Sequence, residues 1–137
     1  MERRDYLIHQ IQEMGAFLAR LVSRLRKKEQ EPSAQQASVS NELKKELGLN
    51  LDELLFLEDK SFITVLEEKL LSAENLEQFA SLLEQLGDMA LNHETFLRQQ
   101  VYYSKSLVLL DHLETKSGNY SIERQDKIAV VRLKLNG

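Results

Sequence analysis

The chain has no cysteine and no tryptophan, one proline in 137 residues, and five glycines that stand singly. Without cysteine there are no disulfides, no thiolate metal sites and no cysteine nucleophile, and a reducing cytoplasm is the expected location. Isolated glycines exclude the phosphate-cradling loop and the dinucleotide fingerprint, which need glycines clustered at fixed spacing. Nothing resembles a nucleophile elbow either. The first fifteen residues mix charged and polar side chains with apolar ones, so they lack the continuous apolar core, about 7–15 residues long, of a secretory signal. No run approaches the roughly 20 apolar residues of a membrane span. No Glu-x-x-His pair occurs, which removes the usual building block of a diiron bundle.

What is present favours helix. Leu, Glu, Lys and Gln abound, hydrophobic residues make up 42% and charged residues 29%, so an all-α domain with a real core is the expectation. The net charge of −4 is uneven. Residues 1–28 hold seven Lys and Arg against Glu2, Asp5 and Glu13, a balance of +4, and the remainder carries −8. An acidic body disfavours general nucleic-acid binding, and only the first helix could attract phosphate.

Leu7, Ile11, Met14, Leu18, Leu21 and Leu25 recur at alternating steps of four and three, a heptad seam of about three repeats, with Ile8 and Val22 widening the stripe. Gly15 beside that seam costs roughly 1 kcal/mol of helix propensity against Ala unless it lets a neighbouring backbone come close. Residues 29–40 hold the only proline and many Gln, Ser and Ala, and read as a flexible linker. A seam cut off from the body by a linker must fold back or meet a second copy.

Residues 41–137 read as a helical body. Ser40 is placed to cap a helix that Gly48 stops, Asn50 starts a short one, and Ser61 is placed to cap a third carrying Phe62, Val65, Leu66 and Leu70. Ser72 opens a periodic segment in which Leu76, Phe79, Ala80, Leu83, Leu86, Gly87 and Ala90 trace one face. Asn92 and His93 break it, and a longer helix runs on to a stop at residues 116–119. In the tail, Ser121 predicts a capped helix with Ile122, Ala129, Val130 and Leu133 on a shared face. Residues 131–135 also alternate with period two, but no second strand exists to pair with them.

Between residues 80 and 113, Leu83, the Leu86-Gly87 pair, Phe96, Tyr103, Ser106, Leu107 and Leu109 occupy the packing positions of one tetratricopeptide-type helix pair, which the segment resembles. Ala90 stands where an aromatic is usual, Gln99 where alanine is expected, and Asp111 replaces the closing proline. The resemblance implies a non-catalytic unit for binding protein or peptide, with Ser81, Glu84, Asp88 and Asn92 on the concave face. Acidic residues there suit a basic or neutral partner. One unit is not a groove, since about three repeats usually make one. As a whole the chain also resembles an uncharacterised bacterial family of small helical proteins through RDYL at 4–7, ARL at 19–21, LGLNLDELL at 47–55 and YSIERQDKI at 120–128. That resemblance implies no activity.

The leading expectation is an interaction or assembly module without a cofactor. It self-associates as a homodimer through the six seam residues and binds neither membrane nor nucleic acid. Two rivals remain. The first is a metal-binding protein or enzyme using His9 and carboxylates: His9 and Glu13 lie four apart on one helix face, a spacing that can hold a metal if other helices add ligands, whereas His93 and His112 form no ligand spacing. Arg20, Arg24, Arg26, Lys27 and Lys28 form a basic edge that could meet phosphates or an anionic membrane.

Overall fold

Seven helices follow one another along the chain: α1 (Arg3–Lys27), α2 (Pro32–Leu47), α3 (Leu51–Phe56), α4 (Asp59–Leu70), α5 (Ala73–His93), α6 (Phe96–Ser117) and α7 (Ile122–Asn136). The computed structural model describes residues 3–27, 30–93, 96–118 and 121–137, and for 91–93 the backbone alone. Among the described residues there is no strand, so the fold is all-α, and the alternation at 131–135 is part of helix α7.

Local chemistry sets most of the helix ends. Gly48 ends α2 at φ 67°, where its N–H bonds the Lys44 carbonyl and the Leu49 N–H bonds that of Leu43. The Asn50 side chain accepts from the Glu53 N–H to open α3, and Ser121 does the same for Arg124 in α7. The Ser72 hydroxyl accepts from the Asn75 N–H at the start of α5.

Two expected caps are displaced. Helix α4 begins after Glu58, and Ser61 sits inside it with its hydroxyl turned back to Glu58 Oε1. Ser40 lies within α2, because the expected linker over 29–40 is helical from Pro32 onward. Proline is tolerated at a first helical position, where no intrahelical N–H bond is lost. What makes the segment helical is its inward face: Gln35, Val39 and Leu43, at steps of four, are all buried. A composition rich in Ser and Gln hid that stripe.

Helix α5 is the centre of the molecule. Phe79, Ala80, Leu82, Leu83, Leu86 and Ala90 are fully excluded from solvent. The helix packs on α6 along its length, on α1, and on α2 and α4. Contacts of Gln99 and Tyr103 with residues 87–88, and of Ser106 with Ala80, make α6 antiparallel to α5. The pairs Arg124–Glu77 and Lys134–Glu84 make α7 run parallel to it. Helix α1 is parallel to it as well, since Ile11 meets Asn75 while Leu25 lies beside Gln85 and Met89.

Helix α7 presents an unexpected face. Ile128 and Val131 are buried, whereas Ile122, Val130 and Leu133 are turned outward and Ala129 is exposed, so the predicted shared face is the outer one. The reason is electrostatic. Arg124, Lys127 and Lys134 lie on the side that turns toward acidic α5, and meeting Glu77, Glu84 and Asp88 fixes the rotation of the helix.

Candidate interaction surface

The hairpin α5–α6 supplies a rigid frame. A Cβ built on Gly87 would lie 2.6 Å from Tyr103 Cε1, so only glycine lets the ring lie flat against α5. The Gln99 amide, at the position where alanine was expected, donates to the Gly87 carbonyl at 3.0 Å, and the Ser106 hydroxyl donates to the Ala80 carbonyl at 2.7 Å. The Tyr103 hydroxyl donates to Asp88 Oδ1 at 2.6 Å. Burial, reinforced by the neighbouring Asp88 carboxylate, pushes the Tyr103 phenol above its ordinary pKa, so it stays a donor at neutral pH.

The acidic face of α5 is not an open concave surface. Lys134 holds Glu84 at 2.6 Å and Asp88 at 3.1 Å, and Arg124 joins Glu77 at 2.6 Å to Glu114 at 3.2 Å. For both cations burial pulls the pKa down, and the carboxylate hydrogen bonds more than offset it. The basic partner expected for Glu84 and Asp88 is therefore the chain's own last helix. Ser81 remains accessible. With Gln78 it floors a groove of about 590 Å³ between α1 and α7, walled by Ser23 and Arg26 on one side and Lys127 on the other. The side chain of Asn92 lies outside the described residues, as does Lys28.

The heptad seam divides into two halves. Leu18, Leu21 and Leu25 are at most 1% exposed and closed within the chain beside Val22 and Phe17. Each such side chain contributes roughly 1.5–3 kcal/mol by its burial. An intermolecular seam built from all six residues would first have to undo that contact, so these three are corrected from interface to core. Ile11 and Met14 are half-buried, and Leu7 is exposed.

The division falls at Gly15 and Asn75. The Asn75 side chain, 3% exposed, donates to the carbonyls of Ile11 at 3.1 Å and Leu70 at 2.9 Å, and a Cβ on Gly15 would lie 2.8 Å from its Oδ1. Gly15 thus admits a side chain, where the sequence suggested a close backbone. Beyond this root, residues 3–10 are all exposed, an arm of about eight residues and so about 12 Å. Tyr6, Leu7 and Ile8 stand on it at 62%, 45% and 45% exposure. The stripe that α1 buries below Gly15 continues bare above it.

Among the described residues, no three His, Asp or Glu side chains gather as a metal-holding group. His9 and Glu13 meet each other, at 2.8 Å on the exposed side of α1. His112 Nε2 lies 3.1 Å from Glu67, whose carboxylate also takes Lys116 Nζ at 2.6 Å. Lys116 chiefly, and His112 after it, hold the Glu67 pKa below its ordinary value. A carboxylate with a depressed pKa stabilises the fold above its unfolded-state value and ceases to do so as pH falls through the folded-state value. Glu67→Gln is therefore expected to cost about 0.2–1 kcal/mol at neutral pH and nothing once the pH is below the folded-state pKa, as measured by urea denaturation at both pH values.

No protein-family model, curated protein or solved structure matches the chain. The likenesses to a tetratricopeptide pair and to a bacterial family therefore rest on its own residues.

Of the basic edge, Arg24 is engaged within the chain, 2.7 Å from Glu42 and bonded to Ser38, while Arg20, Arg26 and Lys27 are exposed. Among the described residues no helix is long and apolar enough to cross a membrane. Sequence reasoning missed Asn75, Arg124 and Lys134. Each lies in an ordinary polar stretch, and its importance comes from partners 46 to 64 residues away.

Proposed function

We propose that this protein is a non-catalytic assembly module that self-associates through the N-terminal arm of α1, two copies forming the simplest assembly. The supporting observation is the bare continuation of the α1 stripe over Leu7 and Ile8, beside an exposed Tyr6, beyond the Gly15–Asn75 root. A helical segment this short is marginal in water by itself, and an apolar face left in solvent gains from any matching surface. The tetratricopeptide-like packing of Gly87 against Tyr103 fits the same reading, because such hairpins are frames for surfaces.

Leu7→Glu with Ile8→Glu tests the proposal. Both positions are exposed, so helix content and thermal stability should match the parent. The parent should run above monomer mass in light scattering and the double variant at monomer mass. A parent that is already monomeric, or a variant that keeps the parental mass, would sink the reading.

A further inference from the structure

Outside the surfaces described so far, a small cavity of about 150 Å³ lies where the end of α1 and the start of α2 meet the second half of α5. Leu25, Pro32 and Met89 give it apolar walls, and Gln30, Gln35 and Gln85 bring three side-chain amides to it. Gln30 and Gln35 also border a second cavity of about 320 Å³, which they share with Arg24 and Ser38.

Gln35 is the unusual member of this group. It is 3% exposed, on the inward stripe of α2 that continues as Val39 and Leu43. Its amide carries two donors and an acceptor, yet among the described residues it has no hydrogen-bond partner. Neither of its polar atoms is sealed inside protein, so they face the cavities that the residue lines. An unpartnered amide at a core position is costly, and its bonds belong to whatever the cavity holds. Gln85, half-buried on the opposite wall, likewise has no side-chain partner among the described residues.

The charged groups nearby are already engaged. Arg24 meets Glu42 at 2.7 Å and donates to the Ser38 hydroxyl. Asp88, on the wall of the smaller cavity, accepts from the Tyr103 hydroxyl with one carboxylate oxygen and from Lys134 with the other. An ionic ligand would find no free countercharge, which leaves the amides as the polar groups that recognise it.

We infer that this cavity binds a neutral ligand with a single six-membered ring and an amide-type edge, a hydrogen-bond donor and an acceptor side by side. Size sets the ring, because an apolar cavity of this volume holds a molecule as large as benzene. Leu25, Pro32 and Met89 supply the apolar contact for its faces. The edge follows from Gln35, whose own donor and acceptor stand side by side and pair with a matching edge through two bonds at once, as glutamine does with a nucleobase. Two sources share that chemistry: the lactam edge of a pyrimidine base and the carboxamide of an aromatic amide. The inference is independent of self-association through the arm.

Uracil and benzamide are the probes for the two sources, with benzene as the control for the edge and benzoate as the control for charge. When each is titrated into the intact protein and followed by amide chemical shifts, at least one probe should bind and move resonances of residues 30–35 and 85–89. Uracil alone assigns the lactam, benzamide alone the carboxamide, and both together the shared edge. Benzene and benzoate should bind about tenfold more weakly or not at all. Gln35→Met keeps the volume and removes the edge. It should weaken the bound probe about tenfold or more, and, because the lost amide had no protein partner, it should melt at or above the parental temperature.

If neither probe binds, the cavity holds water alone and the inference falls. Benzene binding as tightly as the probes, or a probe binding Gln35→Met as it binds the parent, would show apolar filling without recognition of an edge and overturn it. Benzoate binding as tightly as benzamide would overturn the choice of a neutral ligand. A Gln35→Met protein that melts well below the parent would show that the fold itself satisfies the amide, and the inference falls with it.

Discussion

Gly87→Val is expected to destabilise the protein by about 2–3 kcal/mol. The argument begins with the Tyr103 ring, whose Cε1 and Cδ1 would lie 2.6 and 2.8 Å from any Cβ at position 87. The ring has little room to withdraw. It is 5% exposed, its hydroxyl is bonded to Asp88, and Lys134 stands 5.9 Å from its centroid. Overpacking a filled site of this kind costs about 1–3 kcal/mol, and a branched side chain lies toward the upper end. Alanine at the same position should cost less, because it recovers up to about 1 kcal/mol of helix propensity relative to glycine. In a Tyr103→Ala background the valine should be nearly harmless. Urea denaturation of the four chains in this cycle measures the coupling, and additivity between the two sites would overturn the account.

Arg124→Ala is expected to cost about 2–3 kcal/mol, and to do so mainly by loosening α7. The side chain is 13% exposed and its guanidinium is shared by Glu77 and Glu114, themselves 25% and 18% exposed. Truncation leaves two half-buried carboxylates facing each other, and removing one member of such a cluster is costly because the remaining charges stay desolvated. Lys127, 3.6 Å from Glu77, offsets only part of it. Buried apolar support for α7 is limited to Ile128 and Val131, so the clamp weighs heavily in holding this helix. Amide hydrogen exchange should accelerate across 122–136 while the amides of α5 and α6 keep most of their protection. Unchanged exchange in α7 would show that apolar contact alone docks it.

The two predictions differ in how far the sequence anticipated them. Gly87 and Tyr103 both stand at packing positions of the tetratricopeptide-type resemblance, in which small residues let two antiparallel helices approach and aromatics fill the space between them. Arg124 was not visible: it is one of several cations in a polar segment, and its two carboxylates come from different helices. The same contrast runs through the fold. Gly48, Asn50, Ser72 and Ser121 act on backbone groups a few residues away, and they stand where the sequence placed them. Ser40 and Ser61 are just as suitable chemically, yet the helices start elsewhere, because burial of Gln35 and Val39 in α2 outweighs a local cap.

The seam of α1 is the clearest case of partial legibility. Its period is real, and Leu18, Leu21 and Leu25 do pack as one stripe. Periodicity reports that a face is apolar, however, and carries no information about which surface covers it. The flexible linker expected over 29–40 made a separate helix plausible. With α1 running to Lys27 and α2 beginning at Pro32, the lower half of the stripe lies beside α5.

The sequence by itself determined the helical class, several helix ends and the apolar faces of α1, α4 and α5. These follow from interactions within about one turn of chain, where spacing and side-chain type are sufficient. The tertiary structure decided that half of the seam is core and half a bare arm, that α7 turns its cations inward and three large apolar residues outward, and that Asn75 is the root of the arm. Those outcomes depend on which distant surfaces meet, and on desolvated ion pairs and close contacts that exist only after they have met.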